Sequence, residues 1–385
     1  MANATQTPLS SYCVAICIPT FGTGGVERML VNLAQGLVQL GIDVDFILDT
    51  LDVPYLDSLP ETVNIHPLGR SDSAKQLEWL VNYLQARQPS VLISAKTADD
   101  ELALRARDLS GSRTKVFLRP GTNLSERMRG QRYRLLKNWR DRRRLRKHFQ
   151  AADGIVTVSQ GVAEDVQRIS AISQNKISVI PNPTVTPSIA ELARADAPHP
   201  WFGQQTPVLI AIGRFSRAKD FPTLIKAFAL VRQKQESHLI ILGNGNRLGR
   251  LKQLAASLGV ENAVDFPGFC SNPYAYLARA SLFVLSSKRE GSPNALIEAL
   301  ALGVPVVATD CNSGPAEILQ HGKYGPLVPV GDPVALAEAM IQVLNHPPEA
   351  SFLQQATREY DYQISARRYL QAFGLPLPEL PPEQA

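Results

Sequence analysis

Residues 289–310 read "REGSPNALIEALALGVPVVATD", a stretch that predicts a helix followed by a buried strand. Ser292 is a preferred N-cap residue, and Pro293 suits the first helical position because its missing N–H would have no helical partner there. The helix "PNALIEALAL" is therefore predicted to begin at Pro293 and to stop at Gly303, where the strand "VPVVAT" follows.

The start of this predicted helix has the features of an anion site. The N–H groups of Asn294 and Ala295 have no partner inside the helix, and with the helix dipole they favour a phosphate. Glu298 lies on the same helix face about one turn deeper, and Glu290 lies just before the cap. A nucleotide-sugar, with phosphate in its middle and hydroxyls at both ends, would satisfy these features. The alternative is a surface helix with two solvated glutamates.

Length and composition predict a soluble protein of two domains. The chain has 385 residues, more than one ordinary core accommodates, and it is 44% hydrophobic and 19% charged. No apolar run approaches the ~20 residues of a spanning helix, and the N-terminus lacks the features of a secretory signal. The four cysteines have no metal-ligand spacing and indicate reduced core residues of a cytoplasmic protein.

Short β-branched runs alternate with amphipathic helical runs in both halves of the chain. Strands are predicted at 12–18, 43–48, 90–94, 115–119, 154–158, 177–180, 208–213, 238–243, 263–268, 282–287 and 304–309. Such alternation is typical of parallel sheets. We therefore expect an α/β protein with two Rossmann-like, doubly wound parallel-sheet domains that face a central cleft.

A proline-rich stretch at 186–204 separates the two series and is predicted to be a linker. The domains are expected at 1–185 and 205–355, and a C-terminal helix and tail at 356–385 could cross back to the first domain. Ligands of such sheets bind at the carboxyl ends of the strands, where the cap at Ser292 also falls.

A second cationic feature lies at a strand end in the same domain. Arg214 and Lys219 directly follow the predicted strand 208–213. Arginine makes forked hydrogen bonds to phosphate, and lysine supplies a point charge. Two cations and a helix N-terminus could neutralise a leaving pyrophosphate without a metal ion. The alternative is a solvated loop with two basic residues.

Several motifs occur in a characteristic order: Gly213-Arg214-x4-Lys219, "LGNGN" at 242–246, "DFPGF" at 265–269, and Glu290-x7-Glu298 followed by "GVPVVATD". Together they resemble the retaining glycosyltransferase family 4, which has the GT-B fold. The N-terminal "PTFGTGGVERMLVNLAQGL" is similar to that family's first loop and helix. The resemblance spans nearly the whole chain.

The resemblance implies a role for each matching residue. Arg214, Lys219 and Glu290 would be catalytic: the two cations would hold the donor diphosphate, and Glu290 would contact the donor sugar as a positioning group, not a nucleophile. Glu298 would accept hydrogen bonds from the ribose hydroxyls. The other donor-binding residues would be Gly24, Gly25, Gly213, Gly243, Asn244, Gly268, Phe269, Gly291, Ser292, Asn294 and Ala295.

The resemblance also implies the reaction. A hexose, with glucose as the best guess, would pass with retention from a UDP-sugar to a sugar or lipid-linked sugar acceptor in polysaccharide, glycolipid or cell-envelope biosynthesis. No metal or cofactor is expected, since the family needs no bound metal and the nucleotide-sugar is a substrate. Members often carry a histidine in the N-terminal domain. Here the corresponding stretch is "FLRPGTNLS", which makes Arg119 and Asn123 acceptor-side candidates.

Residues 126–148 hold eleven lysines and arginines against two acidic residues. The segment 127–148 is predicted to be a basic amphipathic helix, which suits an anionic membrane surface, nucleic acid, or a solvated face of a packed helix. No nucleic-acid recognition motif accompanies it, so no nucleic-acid partner is expected. The hypothesis is a cytoplasmic protein with peripheral contact to the inner face of the membrane.

Two other enzymatic functions stay open at this point. Gly22-x-Gly24 partly matches the fingerprint of NAD-dependent oxidoreductases, but Glu27 stands where the third glycine should be. A GT-B-fold sugar-nucleotide epimerase would bind the same nucleotide and would need no acceptor. The full set of cationic and acidic residues argues against a non-catalytic scaffold.

Overall fold

The computed structural model describes residues 12–22, 24–51, 53, 55–69, 72–129 and 135–377. These divide into two compact units. Unit 1 comprises the described parts of 1–158, 162–183 and 362–385, and unit 2 comprises 159–161 and 184–361. Within the described ranges, no helix combines the length and the apolar character needed to cross a membrane.

Each unit is built on one parallel sheet. The seven strands of unit 1 are β1 (Cys13–Cys17), β2 (Asp43–Leu48), β3 (Asn64–Pro67), β4 (Val91–Ser94), β5 (Lys115–Leu118), β6 (Gly154–Thr157) and β7 (Ile177–Val179). The six strands of unit 2 are β8 (Val208–Ile212), β9 (His238–Leu242), β10 (Val264–Gly268), β11 (Leu282–Leu285), β12 (Val306–Thr309) and β13 (Leu327–Val328). The α/β class with two Rossmann-like parallel-sheet domains is confirmed.

The helices lie between these strands in the chain. Those up to β8 are α1 (Gly25–Gln39), α2 (Ser73–Arg87), α3 (Asp100–Ser110), α4 (Leu124–Arg129), α5 (Leu135–Ala151), α6 (Gln160–Ser170) and α7 (Pro187–Ala193). The later ones are α8 (Phe221–Arg232), α9 (Leu248–Ser257), α10 (Pro273–Leu277), α11 (Asn294–Ala301), α12 (Pro315–Ile318), α13 (Pro333–Asn345), α14 (Ala350–Gln354) and α15 (Tyr362–Phe373).

The strand orders create one switch point in each sheet. Unit 1 has the order β3-β2-β1-β4-β5-β6-β7, and unit 2 has β10-β9-β8-β11-β12-β13. The order reverses between β1 and β4 and between β8 and β11, so the connections on either side of these pairs diverge. A crevice for ligands opens at the carboxyl ends of such a strand pair.

Central strands are uniformly apolar because helices cover both faces of a parallel sheet. All five residues of β1, "CVAIC", are buried, and Val14 pairs with Val44 on one side and Val91 on the other. The last helix, α15, packs on α1 within unit 1. A Cβ atom at Gly36 would lie 2.8 Å from the Cβ of Ala366, so this close approach requires glycine.

Two local predictions differ from the structure. Helix α11 begins at Asn294, with Pro293 in the cap position at ψ 98° and no side-chain cap hydrogen bond, so Ser292 does not cap it as predicted. The stretch 186–204 contains α7, whose Ile189 is buried in the core of unit 2. Pro187 begins that helix because its fixed φ suits a first turn. The linker prediction rests on the proline content of the same stretch, so proline here marks a helix start instead.

Candidate functional site

The two loops that follow β8 and β11 are joined at the switch point of unit 2. The N–H of Lys288 donates to the carbonyl of Ala218 at 2.7 Å. The hydroxyl of Ser286 donates to the carbonyl of Lys219 at 2.9 Å. These bonds hold the predicted cationic loop against the loop that leads into α11.

An ion pair spans the same two loops. Lys219 Nζ lies 2.6 Å from Glu290 Oε1, with the side chains 22% and 11% exposed. The hydroxyl of Ser287 donates to the same oxygen at 2.6 Å, and the hydroxyl of Ser313 donates to the carbonyl of Glu290 at 2.8 Å. Among the described residues, none hydrogen-bonds Oε2. The glutamate is thus held through one oxygen and presents the other.

Asp220, which sequence reasoning missed, forms a second contact between the two loops. Its backbone is left-handed (φ 47°), a conformation that aspartate tolerates better than most residues. Its carboxylate accepts from the hydroxyl of Thr223 at 2.6 Å and pairs with Lys288 Nζ at 3.0 Å. The available signal was the Asp-x-x-Thr spacing at the start of a helix. Asp220 and Lys288 add a second ion pair between the two loops.

Glycines let the strand ends of unit 2 approach one another. A Cβ at Gly243, where φ is 140°, would lie 2.1 Å from the carbonyl oxygen of Gly213. A Cβ at Gly213 would lie 3.0 Å from Lys219 Cε. The N–H of Gly243 donates to the carbonyl of Gly268 at 2.8 Å, which ties the ends of β9 and β10 together. Phe269 follows directly and is 41% exposed.

The remaining predicted residues of unit 2 lie on the same edge. Arg214 is exposed, and among the described residues none bonds to its guanidinium. Asn294 and Ala295 form the first turn of α11, and Glu298 lies one turn deeper, 4% exposed, accepting from the hydroxyl of Tyr274 at 3.3 Å. Unit 2 carries these predicted residues at strand ends, on strand-end loops or on α11: Gly213, Arg214, Lys219, Gly243, Asn244, Gly268, Phe269, Glu290, Gly291, Ser292, Asn294, Ala295 and Glu298.

The switch point of unit 1 also holds a lysine–glutamate pair. Lys96 Nζ, on the loop after β4, lies 2.7 Å from Glu27 Oε1 in the first turn of α1 and also bonds the carbonyl of Thr20. The N–H of Gly22 donates to the same glutamate oxygen at 3.1 Å, and a Cβ at Gly24 would lie 2.8 Å from Oε2. The glycine turn is therefore folded around Glu27, the residue that breaks the dinucleotide fingerprint.

Two adjacent carboxyl groups follow β4. Burial raises the pKa of Asp100 to about 7, although the hydroxyl of Ser94 donates to it at 2.7 Å. Burial also raises the pKa of Asp99 to about 6, against the opposing effect of Lys96. Both groups therefore titrate near neutral pH at a strand end. Sequence reasoning missed them, although paired acids between a buried strand and a helix were a usable signal.

The two acceptor-side candidates lie at the carboxyl end of β5 in unit 1. Arg119 is 2% exposed; its Nε donates to the hydroxyl of Tyr369 at 3.1 Å, and its Nη2 donates to Asn182 Oδ1 at 2.5 Å. Asn123 Oδ1 accepts from the N–H of Glu126 at 3.3 Å, and thus satisfies an N–H in the first turn of α4. The carbonyl oxygen of the Asn123 side chain is therefore engaged in holding a helix start.

Comparison with known proteins identifies the class. Residues 23–186 match the model of Glycosyltransferase Family 4, and residues 198–360 match that of Glycosyl transferases group 1. The fold is similar to the crystal structure of Anabaena Alr3699/HepE in complex with UDP and glucose, with a TM-score of 0.74, 18% identity, and coverage of 94% of this chain and 99% of that chain.

Two relatives extend over most of the chain. The N-acetylgalactosamine-N,N'-diacetylbacillosaminyl-diphospho-undecaprenol 4-alpha-N-acetylgalactosaminyltransferase of Campylobacter jejuni is 28% identical over 86% of this chain and 90% of its own length. The lipopolysaccharide 1,6-galactosyltransferase of Escherichia coli is 25% identical over 81% of this chain and 83% of its own. The chain is a glycosyltransferase with the GT-B fold and belongs to the GT4-type family. The resemblance found in the sequence is confirmed.

Replacing Lys219 by alanine is expected to slow transfer by about two to three powers of ten, or about 2–4 kcal/mol, if it stabilises the charge of the leaving group. Turnover at saturating donor is the measurement. Lys226→Ala, an exposed lysine on the neighbouring helix α8, is the matched control. A Lys219→Ala enzyme within a few-fold of the parent would contradict a charge-stabilising role.

Proposed function

We propose that this glycosyltransferase moves a hexose from a UDP-sugar, bound at the strand ends of unit 2, to a sugar or lipid-linked sugar acceptor. The observation that carries the proposal is the arrangement of charge on one edge of the sheet. Its loops carry the guanidinium of Arg214, to which no described residue bonds, and Lys219, which pairs with Glu290. Helix α11 also begins at this edge. A buried carboxylate, Glu298, lies one helical turn deeper.

The donor diphosphate would meet the positive features of this edge. Arg214 can offer a forked pair of donors because its guanidinium is exposed, and Lys219, on the same loop, can offer a point charge. The N–H groups of Asn294 and Ala295, in the first turn of α11, add two uncharged donors. Together these groups would neutralise the diphosphate as it leaves.

The two ends of the donor would meet the two glutamates. Glu298 would accept from the ribose hydroxyls, a role that suits a carboxylate inside the site rather than at its rim. Glu290 would accept a hydrogen bond from a hydroxyl of the sugar at Oε2, since Oε1 already accepts from Lys219 and Ser287. The base would lie along Gly268 and Phe269, whose exposed ring offers a stacking surface.

The relatives support the choice of substrates. The HepE crystal structure contains UDP and glucose, so UDP is the proposed nucleotide and glucose the proposed sugar. The names of the two relatives specify a diphospho-undecaprenol-linked sugar and lipopolysaccharide. We therefore place the reaction in the synthesis of lipopolysaccharide or another cell-surface polysaccharide, with a sugar or lipid-linked sugar as acceptor.

Nucleotide binding is tested by thermal stabilisation with UDP, GDP, ADP and NAD, each with EDTA and with magnesium. At a hundredfold excess over its dissociation constant, UDP is expected to add about 2.7 kcal/mol of stability in either condition. Glu298→Ala should reduce the stabilisation by UDP, whereas Glu338→Ala, an exposed glutamate on α13, should not.

Other outcomes of this experiment point elsewhere. Stabilisation by NAD but not by UDP would contradict a UDP-sugar donor, and stabilisation by UDP only with magnesium would contradict metal independence. Unchanged UDP affinity in Glu298→Ala would refute its ribose role. An epimerase would convert the UDP-sugar in the absence of any acceptor.

Retention of the anomeric configuration is part of the proposal. It is supported by the similarity to family 4. The contact of Glu290 with Lys219 suits a positioning group better than a nucleophile, so the proposed mechanism is a front-face displacement without a covalent intermediate. The departing phosphate would then take the acceptor proton. Proton NMR of the first-formed product is expected to show the anomeric configuration of the donor, and the opposite anomer would refute this mechanism.

Peripheral membrane contact through α5 completes the proposal. Of the basic segment 127–148, residues 130–134 lie outside the described residues. On the described part of α5, Leu145 and Phe149 are buried, while Trp139 is 59% exposed. The exposed cations are Arg140, Arg142, Arg143, Arg144, Arg146 and Lys147. A helix fixed on one face and cationic on the other suits an anionic leaflet, at about 1 kcal/mol per basic residue.

Liposome sedimentation tests this contact. The protein is expected to bind phosphatidylglycerol vesicles, and salt should weaken this binding. The double substitution Arg143→Gln/Arg144→Gln should also weaken it because two surface cations are lost. Arg250→Gln/Lys252→Gln, which removes two exposed cations from α9, should bind like the parent. Equal sedimentation with neutral and anionic vesicles at moderate salt would refute the proposal.

A further inference from the structure

Arg119 is a buried cation at the carboxyl end of β5. Its N–H donates to the carbonyl of Ser94 at 3.0 Å, which continues the sheet and fixes where the side chain starts. Two neutral acceptors, Tyr369 Oη and Asn182 Oδ1, orient the guanidinium. The third nitrogen, Nη1, is buried and has no hydrogen-bond partner among the described residues.

No carboxylate of the described residues lies within ion-pair distance of Arg119, which is 2% exposed. A hydroxyl and an amide oxygen orient a guanidinium but do not neutralise its charge. A buried cation without a counter-ion costs several kcal/mol, unless an anion is supplied. The arrangement therefore has the charge and the free donor of an anion site.

Gly121 leaves space beside the free nitrogen. Among the described residues other than its two chain neighbours, Arg119 Nη1 is the only heavy atom within 4 Å of a Cβ built there, at 3.4 Å. Gly121 is partly exposed, and the next residue, Thr122, is exposed. A group placed beside Gly121 would thus lie next to Nη1.

We propose that Arg119 forms an anion site in unit 1 that binds a phosphate group through Nη1, on the side of Gly121. Phosphate is the anion class because the proposed function supplies it on both substrates: in the nucleotide of the donor and in the diphosphate of a lipid-linked acceptor. The inference therefore rests on the proposed function for the source of the phosphate. The site itself rests on Arg119 and its neighbours.

Binding of inorganic pyrophosphate, followed by calorimetry, tests the site. The full chain carrying Arg214→Ala and Lys219→Ala is used, so that the cations of unit 2 do not contribute. Saturable binding is expected, and Arg119→Gln should weaken it by about tenfold to a hundredfold, the usual size for a charged hydrogen bond. Gly121→Val should weaken it similarly by filling the space, while the guanidinium stays in place.

Matched controls separate this site from general charge effects. Arg113→Gln removes an exposed arginine of the same unit, and Thr122→Val changes the neighbouring exposed residue. Both should bind pyrophosphate like the parent. If Arg119→Gln fails to fold, as a thermal melt would reveal, Gly121→Val still decides. Three results would overturn the proposal. They are unchanged pyrophosphate binding in both Gly121→Val and Arg119→Gln, a loss of binding in Arg113→Gln equal to that in Arg119→Gln, or no saturable binding in the parent.

Competition identifies the source of the phosphate. Displacement of pyrophosphate by farnesyl diphosphate but not by UDP would assign the site to a lipid-linked acceptor, and the reverse would assign it to the donor. Displacement by neither would overturn the proposal. The stabilisation by UDP that depends on Glu298 is measured on protein in which Arg119 is intact. If UDP fails to stabilise that protein, the result counts against the proposed function and does not affect the pyrophosphate result.

Discussion

The ion pair between Lys219 and Glu290 is the interaction on which the candidate site depends. The two residues lie on loops from β8 and β11, whose connecting chains diverge at the switch point of the sheet. The pair bridges that divergence and gives the lysine and the carboxylate fixed positions. Because both side chains are mostly buried, loss of either would leave a charge without its counter-ion. The serines that hold Glu290 and the Asp220–Lys288 pair then reinforce one arrangement of the two loops.

Unit 1 closes its switch point by the same kind of contact, with the order of the residues reversed. There the glutamate, Glu27, comes from the first loop and helix, and the lysine, Lys96, comes from the later loop. In unit 2 the lysine comes first. The similarity therefore arises from the geometry of a divided parallel sheet, which places two loops at bonding distance, and not from a sequence repeat. In each unit a glycine lies beside the pair, Gly24 next to Glu27 and Gly213 next to Lys219, and its missing side chain leaves room for the paired residue.

The central strands could be predicted because a strand buried on both faces must be apolar throughout. The prediction of 12–18 corresponds to β1, and that of 208–213 corresponds to β8. The strand β3 escaped prediction because its residues are mostly exposed at a sheet edge, where pairing with β2 alone makes them a strand. The two-residue β13 is too short to leave a pattern. Proline at 187 was ambiguous, since it suits both a linker and a helix start.

By itself, the sequence determined the fold class and which residues lie at the strand ends of unit 2 and at the start of α11, because strand ends and helix starts are local features that apolar runs, glycines and prolines mark directly. Only the tertiary structure decided which charges meet. Lys219 and Glu290 are 71 residues apart, and Lys96 and Glu27 are 69 apart. Their contacts depend on the strand order, which no local pattern encodes. The same reason explains Arg119. Its lack of a carboxylate partner among the described residues is a property of the packed sheet and of α15, whose Tyr369 lies 250 residues further along the chain.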